Sequence, residues 1–385
     1  MSTKLARPQA DVRHVLTRIL DEPALVAEVR ALPPAALAKL IAHVGLEDAG
    51  EIVALATTEQ IERVFDEDLW TRAEPGADEG FEPARFVVWL EILLEAGEGV
   101  AARRLAELSA DVVTLAFHRL VAVVDGDAIA AEIAEGVHEE GEEIEEALEA
   151  SLNHEIGSFI VVARRHDGWD AIVTALVALD EHDHATCARM LERLAAMTER
   201  EAEEEGGLHH VLSAEESLLD DVAGDRNERR AREGFVAPAD ARAFLKLARS
   251  SADVRGRDAV TKAYFRELDR APRAEPTRLE RVLAGAGVLR GETRAKKLPV
   301  QSGVLAAALA SLTPAEHAER LEELAFLVNV LVAGDARAWR PADAAEVVVA
   351  VVEHGLRSGG ALAAEGGVVE AFRIGVRAGA LDRSR

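Results

Sequence analysis

The chain has 385 residues, a length that corresponds to two or three ordinary domains. Its 44 Lys+Arg and 70 Asp+Glu give a formal net charge of −26, which repels a phosphate backbone and argues against general nucleic-acid binding. Apolar residues make up 49% of the chain, enough for a sizeable core, but aromatic residues make up only 4%. Because Ala, Leu and Val supply most of the apolar side chains, the composition favours close-packed helices.

Cysteine content and apolar runs indicate the compartment. The single cysteine, Cys187, excludes an intramolecular disulfide framework. The first eight residues, MSTKLARP, lack the apolar run of a secretory signal. The longest uncharged stretch, 298–315, contains two prolines and is a poor membrane span. We therefore expect a cytoplasmic protein without a membrane span.

One pattern recurs four times between Leu20 and Phe65 at a spacing of twelve residues. In each copy a turn or cap residue precedes apolar positions three and four residues apart, which share one face of a short helix. Thr57-x-x-Gln60 is a capping box within this pattern. Helices of about nine residues are too short to be stable alone. The pattern therefore predicts short helices that stack on one another as a small solenoid.

Two resemblances follow from these and later motifs. The segment LPPAALAKLIAHVGLEDAGEIVALATTEQIERVFDEDLW at 32–70 resembles the helical superfamily of the intracellular N-terminal domain of MgtE-type magnesium channels and the middle domain of the flagellar switch protein FliG. That resemblance implies an armadillo-like helical stack and suggests a response to divalent cations. Most of the chain, including GFVAPADARAF at 234–244 and ELAFLVNVLVAGD at 323–335, is similar to an uncharacterised bacterial domain-of-unknown-function family. The second resemblance implies no known activity.

The remaining elements are also predicted to be mainly helical. Apolar residues at helical spacing predict amphipathic helices over 86–93 and 113–124. Residues 156–163 (IGSFIVVA) are the best strand candidate, although they also fit a buried helix start and no partner strand can be named. Near the C-terminus, Thr313-x-x-Glu316 predicts a helix to about Val332, and Arg340-Pro341 predicts another that reaches His354-Gly355.

These elements predict an all-α fold, with a short-helix solenoid followed by further helical domains and one short β element near 155–163. The run 132–149 holds nine glutamates and no Lys or Arg, which is typical of a solvated helix or linker rather than a cation site. We use it as a domain boundary. The predicted divisions are an N-terminal helical-repeat domain, an acidic linker or exposed helix, a central mainly helical domain and a C-terminal helical domain, at 1–130, 131–152, 153–235 and 236–385.

Charge is distributed unevenly along the chain. Residues 1–220 carry a net charge of −30, whereas residues 221–385 carry +4. The two halves should attract each other, either within one chain or between chains in a homo-oligomer. Arg226, Arg229, Arg230 and Arg232 lie close together at the start of the basic half. They could bind an anion or nucleic acid, but the sequence favours closure against the acidic half.

The only metal-like cluster in the sequence is Glu181-His182-Asp183-His184-x-x-Cys187. If a helix begins at Asp183, His184 and Cys187 lie one turn apart on one face, a spacing that zinc can use. A structural zinc site needs further ligands, for which the sequence offers His166, Asp180, His209 and His210. In the simpler alternative, which we favour, Asp183 caps the helix, the histidines are exposed and Cys187 is a small core residue.

One polar side chain stands out in an apolar helix. Asn329 lies within the segment 313–332, so its amide needs a hydrogen-bond partner, for which we consider Arg340 or a broken backbone turn. Ligand contact is the alternative that we weigh against this structural role. His354 is interpreted as a capping residue ahead of Gly355, without a catalytic role.

The sequence points away from known catalytic machinery. It contains no Walker loop, no strand-preceded Gly-rich dinucleotide turn, no G-x-S-x-G and no H-E-x-x-H. We therefore expect no catalytic residues and no cofactor, and favour a cytoplasmic scaffold or protein-interaction protein that uses its helical-repeat surface. The protein partner is not identifiable. One alternative is a regulator that responds to Mg²⁺ or another divalent cation, and another is a metal-dependent enzyme built on His182, His184 and Cys187.

Overall fold

The computed structural model describes residues 24–134, 151–204, 214–250, 257–268, 276–286, 288–289, 303–362 and 367–383. Within these ranges the chain forms nineteen helices and five short strands, which confirms the mainly α-helical prediction. The helices are α1 (Leu25–Arg30), α2 (Pro34–Val44), α3 (Gly50–Leu55), α4 (Thr58–Asp68), α5 (Pro83–Glu95), α6 (Glu98–Glu107), α7 (Ala110–His118), α8 (Gly126–Ala134), α9 (Trp169–His182), α10 (His184–Glu204), α11 (Ala214–Arg232), α12 (Pro238–Arg249), α13 (Ala259–Glu267), α14 (Arg278–Gly285), α15 (Val304–Ala310), α16 (Pro314–Gly334), α17 (Pro341–Arg357), α18 (Gly367–Arg377) and α19 (Ala380–Arg383). The strands are β1 (Trp70–Arg72), β2 (Glu79–Phe81), β3 (Val121–Asp125), β4 (Asn153–Ile156) and β5 (Phe159–Ala163). None of the described helices is long and apolar enough to cross a lipid bilayer.

Contacts divide the chain into two compact units. Unit 1 contains Met1–Trp70, Phe81–Ala223 and Pro276–Val288. Unit 2 contains Thr71–Gly80, Gly224–Glu275 and Leu289–Arg385. The predicted acidic linker lies largely outside the described residues, so the domain boundaries drawn from it stay a prediction.

The N-terminal part of unit 1 is a stack of short helices, as the sequence predicted. Helices α1 and α3 have six residues each, whereas α2 and α4 have eleven. Helix α1 packs on α3, and α2 packs on α4. The repeating unit is therefore a pair of helices, one short and one long, rather than the single twelve-residue unit. The start of the first predicted copy, at Leu20, lies outside the described residues.

A buried glutamine fixes the junction between two of these helices. Thr57 and Gln60 form the predicted capping box, in which the Thr57 N–H donates to Gln60 Oε1 at 2.8 Å. The same Gln60 side chain is only 2% exposed. Its Nε2 donates to the carbonyl oxygens of Val29 at 2.8 Å and Leu32 at 2.7 Å, at the end of α1. Gln60 thus adds hydrogen bonds to backbone carbonyl groups at the C-terminal end of the short helix α1, where Val29 also accepts one from the Leu32 N–H.

A three-stranded antiparallel sheet in the order β3-β5-β4 follows the helix stack in unit 1. The predicted strand over 156–163 is wrong in its bounds, because Gly157 and Ser158 form the turn of a β4–β5 hairpin. Gly157 has a φ of 61°, in the left-handed region that glycine adopts readily.

The predicted helix over 113–124 is also wrong in its second half. Helix α7 ends at His118, and the residues beyond it form β3. Val121 pairs with Ala163 and Asp125 pairs with Phe159, so β3 is the partner strand that the sequence did not reveal. Val121 and Val124 fit helical spacing, but their β-branched side chains also suit a strand, and the pairing with β5 decides between the two.

Unit 2 has a helical core with an aromatic centre. Both predicted C-terminal helices are present as α16 and α17, and Thr313 caps α16 through the predicted box with Glu316. Phe244 of α12 packs edge-on against Phe326 of α16, with ring centroids 5.3 Å apart. A Cβ atom added to Gly355 of α17 would lie 1.7 Å from the Ala371 carbonyl oxygen of α18. Only glycine permits this close approach of the two helix backbones.

Buried polar groups tie the unit 2 helices together. Glu323 of α16 is fully buried and accepts hydrogen bonds from Arg257 and from the Val368 backbone N–H, both at 3.1 Å. Burial raises the pKa of Glu323, although Arg320 and Arg257 oppose this effect. Asn329 is hydrogen-bonded, as expected, but its Nδ2 donates to the Gly234 carbonyl oxygen at 2.5 Å rather than to either partner that the sequence suggested.

Two arginines of the predicted cluster pair with a single carboxylate in unit 2. Glu79 Oε2 lies 2.6 Å from Arg226 and 2.8 Å from Arg230, and its other oxygen lies 2.7 Å from Arg72. Burial acts to raise the pKa of Glu79, but Arg230 and Arg226 together outweigh it and lower the pKa. For Arg226 and Arg230 the structure therefore shows the favoured alternative, closure on an acidic side chain from the first half of the sequence.

We predict that Gln60→Leu lowers the free energy of unfolding by about 3 kcal/mol, because the buried carbonyl oxygens of Val29 and Leu32 each lose the hydrogen bond from the Gln60 amide. Urea denaturation followed by far-ultraviolet circular dichroism measures the change. Glu59→Leu, at the exposed neighbouring position, is the control and should cost less than about 0.5 kcal/mol. Equal losses in the two variants would contradict the role given to the amide.

We predict that Glu79→Gln lowers the free energy of unfolding at pH 7 by about 3 kcal/mol, because it removes the negative charge that pairs with Arg226 and Arg230 in a largely buried setting. The folded-state pKa of Glu79 lies below its ordinary value of 4.5. The carboxylate therefore stabilises the fold above that value, and this contribution is lost as the pH falls through the folded-state pKa.

Urea titrations at pH 7 and at about pH 3 measure the free energy of unfolding of wild type and of Glu79→Gln. The difference in this free energy between the two proteins should be smaller at the lower pH. Asp78→Asn is the control, because the Asp78 carboxylate is 69% exposed and pairs with Arg242 at the surface. Its loss should cost less than about 1 kcal/mol. If the difference in unfolding free energy between wild type and Glu79→Gln does not change with pH, the stabilising role assigned to the ionised Glu79 carboxylate is contradicted.

Candidate functional site

A groove in unit 1 lies between the three-stranded sheet and helix α10. It has a volume of about 1010 Å³. The sheet contributes the end of β3 and the β4–β5 turn, and α10 contributes one side along most of its length. The lining residues are Val123, Val124, Asp125, Ala128, Ile156, Gly157, Ser158, Phe159, Asp180, His184, Ala188, Leu191, Glu192, Ala195, Ala196, Thr198 and Glu199.

The charges that line this groove have one sign. No Lys or Arg is among its described lining residues. Four acidic side chains line it: Asp125, Asp180, Glu192 and Glu199. Between them lie apolar side chains, including Ile156 and Leu191, which are 6% and 2% exposed. The surface therefore combines an apolar floor with a negative potential, which is stronger in a concavity than on an open surface. We call it the acidic groove.

Local structure at the start of α10 positions Asp180 and His184, two of the residues that line the groove. Asp183 accepts hydrogen bonds from the Thr186 hydroxyl at 2.6 Å and backbone N–H at 3.1 Å, so it caps the helix as predicted. These hydrogen bonds lower the pKa of Asp183. The following residue, His184, lies with its Nδ1 2.7 Å from Asp180 Oδ1 at the end of α9. The imidazole of His184 is 75% exposed and reaches solvent at the groove.

The three residues predicted to bind a metal lie in different environments. His182 and His184 are exposed, whereas Cys187 is fully buried with its Sγ 3.8 Å from the Leu176 carbonyl oxygen. Burial raises the pKa of the Cys187 thiol to about 12. Cys187 is therefore a thiol in the core, as in the simpler alternative. A metal on these three residues stays a prediction, and the suggested ligands His209 and His210 lie outside the described residues.

A different group of side chains comes together at the other end of the sheet. In the part of the chain that the structure describes, one set of three metal-ligating side chains has its ligand atoms within 4.8 Å of one another, and it consists of His118, Glu201 and Glu215. The Nε2 atom of His118 lies 3.0 Å from Glu201 Oε1 and 3.9 Å from Glu215 Oε2. His118 itself is only 2% exposed. We call this set the His-Glu-Glu cluster.

Two arginines contact the outer sides of the cluster. Arg164 contacts Glu201 through Oε2, and Arg119 contacts Glu215 through Oε1. In each glutamate, one carboxylate oxygen thus contacts an arginine, and the other oxygen faces His118. Burial lowers the pKa of His118, and Glu201 opposes that effect. The lowered pKa favours the neutral imidazole, the form that can coordinate a metal ion.

Sequence reasoning missed this cluster because no motif joins its members. His118 is the last residue of α7, Glu201 lies near the end of α10, and Glu215 lies in the first turn of α11. The sequence offered only weak local signals, an acidic run around Glu201 and a polar residue inside an apolar helix at His118. Their proximity follows from the pairing of β3 with β5 and the packing of α10 on β3.

Comparison with protein families gives one match. The model of a family of unknown function, DUF6178, matches residues 6–354. The chain belongs to this family. The matched range includes every residue of the acidic groove and of the His-Glu-Glu cluster in this DUF6178 protein.

Other comparisons add no relatives. No curated protein and no solved structure matches the sequence. The domain-of-unknown-function resemblance is thus confirmed, whereas these findings lend no support to the similarity with magnesium channels and the flagellar switch protein.

We predict that native Cys187 reacts very slowly with Ellman's reagent at about pH 8. A rise of the pKa from 9.0 to about 12 lowers the thiolate fraction by roughly 1000-fold, and burial restricts access further. The released thionitrobenzoate absorbance measures the rate, with the guanidinium-unfolded chain as the control. Complete reaction of the native protein at the rate of the unfolded chain would contradict the core position of Cys187.

Proposed function

We propose that this DUF6178 protein is a non-enzymatic interaction protein, and that unit 1 binds a basic amphipathic segment of a partner protein in the acidic groove. The observation that carries the proposal is the lining of the groove, whose described residues place four carboxylates and no Lys or Arg around an apolar floor. A segment that presents Lys or Arg on its edges and Leu or similar residues on its inner face matches both features.

The size of the groove supports a peptide rather than a small metabolite. Its volume of about 1010 Å³ is at the upper end of the range for small-molecule sites, and it runs along most of α10. An amphipathic helix that enters such a groove buries its apolar face, while its basic side chains reach the rim. Association with a basic partner is further accelerated by the negative potential.

The groove chemistry argues against occupation by the protein's own acidic run. Residues 132–149 contain nine glutamates and no Lys or Arg, so like charges would repel this run from the groove. A partner of opposite charge removes that repulsion and neutralises the groove instead. We therefore assign the groove to a basic segment of another protein.

The sequence had placed the interaction surface on the helical repeat, which carries a smaller depression of its own. That depression has a volume of about 670 Å³ and is lined in part by the acidic residues Glu47, Asp48, Glu51 and Glu95. We favour the acidic groove over this stack depression because it is larger, and it therefore offers more apolar surface to a helical segment. The stack depression supplies a charge-matched control for the experiment.

The test uses a fluorescein-labelled peptide of about 14 residues with Leu on one helical face and Lys on the other. We predict that full-length protein binds it with a Kd on the order of 10 µM by fluorescence anisotropy. The triple variant Asp125→Asn, Glu192→Gln, Glu199→Gln should bind at least about tenfold more weakly, because three attractive charges are removed. Asparagine at 125 retains the oxygen that caps α8 through the Asp127 and Ala128 N–H groups.

The matched control is Glu47→Gln, Asp48→Asn, Glu51→Gln, which changes the net charge by the same amount in the stack depression. It should bind the peptide within about twofold of wild type. A peptide with Glu in place of Lys should not bind. Equal weakening in both triple variants, or equal binding of both peptides, would contradict the proposed groove.

A further inference from the structure

Beyond the proposed interaction, we propose that His118, Glu201 and Glu215 form a binding site for one divalent transition-metal ion, Zn²⁺ or Mn²⁺. None of the three residues takes part in the acidic groove, so the two proposals stand or fall separately. The cluster is built on three helix ends that the fold brings together.

The two ligand-atom separations measured from His118 lie close to those around a metal ion. A tetrahedral ion with bonds of about 2.1 Å separates its ligands by roughly 3.4 Å. His118 Nε2 lies 3.0 Å from the inner oxygen of Glu201 and 3.9 Å from that of Glu215, values on either side of that separation. Shifts of a few tenths of an ångström in side chains that are 33% and 24% exposed would equalise them.

A hydrogen bond from His118 cannot serve both glutamates. The Nε2 atom carries at most one N–H, which at 3.0 Å reaches Glu201 only. Glu215 Oε2 lies 3.9 Å from the same nitrogen, which is beyond hydrogen-bonding distance. A cation placed between the three atoms would accept a lone pair from Nε2 and from both inner oxygens. This arrangement satisfies Glu215 as well as Glu201.

The arginines hold the carboxylates in the orientation that coordination requires. Arg164 and Arg119 contact the outer oxygens of Glu201 and Glu215, which leaves the inner oxygens directed at His118. Arg164 is itself anchored, because its Nε donates to the Val121 carbonyl oxygen at 3.0 Å. Metal sites commonly use such outer partners to orient their ligands.

The donor set defines the class of metal. One imidazole nitrogen and two carboxylate oxygens suit Zn²⁺ and Mn²⁺, whereas Mg²⁺ and Ca²⁺ prefer oxygen donors and Cu⁺ prefers sulfur. Three protein ligands also leave at least one coordination position for water.

Isothermal titration calorimetry on the full-length, chelator-treated protein tests the site with ZnCl₂ and with MnCl₂ in separate titrations. We expect one ion per chain with a Kd below about 10 µM for at least one of the two metals. The double variant Glu201→Gln, Glu215→Gln should weaken binding at least about 100-fold. The matched control is His182→Gln, His184→Gln, which removes two candidate ligands of the sequence-predicted cluster and should leave the affinity unchanged.

A second measurement does not depend on the variants folding. In the ¹⁵N-histidine NMR spectrum of the wild type, one equivalent of Zn²⁺ should shift a single buried imidazole, with little change in the exposed ones. Failure to bind either metal below about 100 µM would overturn the proposal. So would loss of binding in the His182/His184 control, or a zinc shift confined to exposed histidines.

Discussion

The pairing of β3 with β5 is the constraint on which both sites of unit 1 depend. At one end of the pair, Val121 opposite Ala163 brings the end of α7 close to Arg164, where the His-Glu-Glu cluster forms. At the other end, Asp125 opposite Phe159 forms one wall of the acidic groove. Helix α10 packs along β3, and the Val123 N–H donates to Thr198 Oγ1 at 3.2 Å. A slip of one residue in this register would turn every side chain of β3 to the opposite face and disrupt both sites.

Each unit gains its stability in its own way. The helices α1 to α4 in unit 1 are too short to persist alone, so they depend on stacking and on groups such as the Gln60 amide that satisfy their ends. Unit 2 uses the longer helices α16 and α17, which have more internal hydrogen bonds. Its specificity comes from close backbone approach at Gly355 and from the buried carboxylate of Glu323. A buried carboxylate that is satisfied in only one arrangement of its neighbours disfavours alternative packings.

Local features of this fold could be predicted from the sequence, and features set by distant contacts could not. The capping boxes at Thr57 and Thr313 were recognisable because their hydrogen bonds join residues three apart. Strand β3 was missed because its valines also fit a helix and its partner lies about forty residues away. The His-Glu-Glu cluster joins residues up to 97 positions apart, so no spacing rule reveals it. The acidic groove was missed too, because composition shows how many carboxylates exist but not which of them the fold gathers along one surface.

The structure sorts the acidic residues by what surrounds them, and helix α10 connects two of the resulting environments. Glu79 and Glu323 are neutralised by buried arginines, so they serve the fold. Glu199 lines the acidic groove, and Glu201, two residues further along α10, belongs to the His-Glu-Glu cluster. Residues two apart on a helix point to nearly opposite faces, so the two carboxylates serve separate sites although they are neighbours in the sequence.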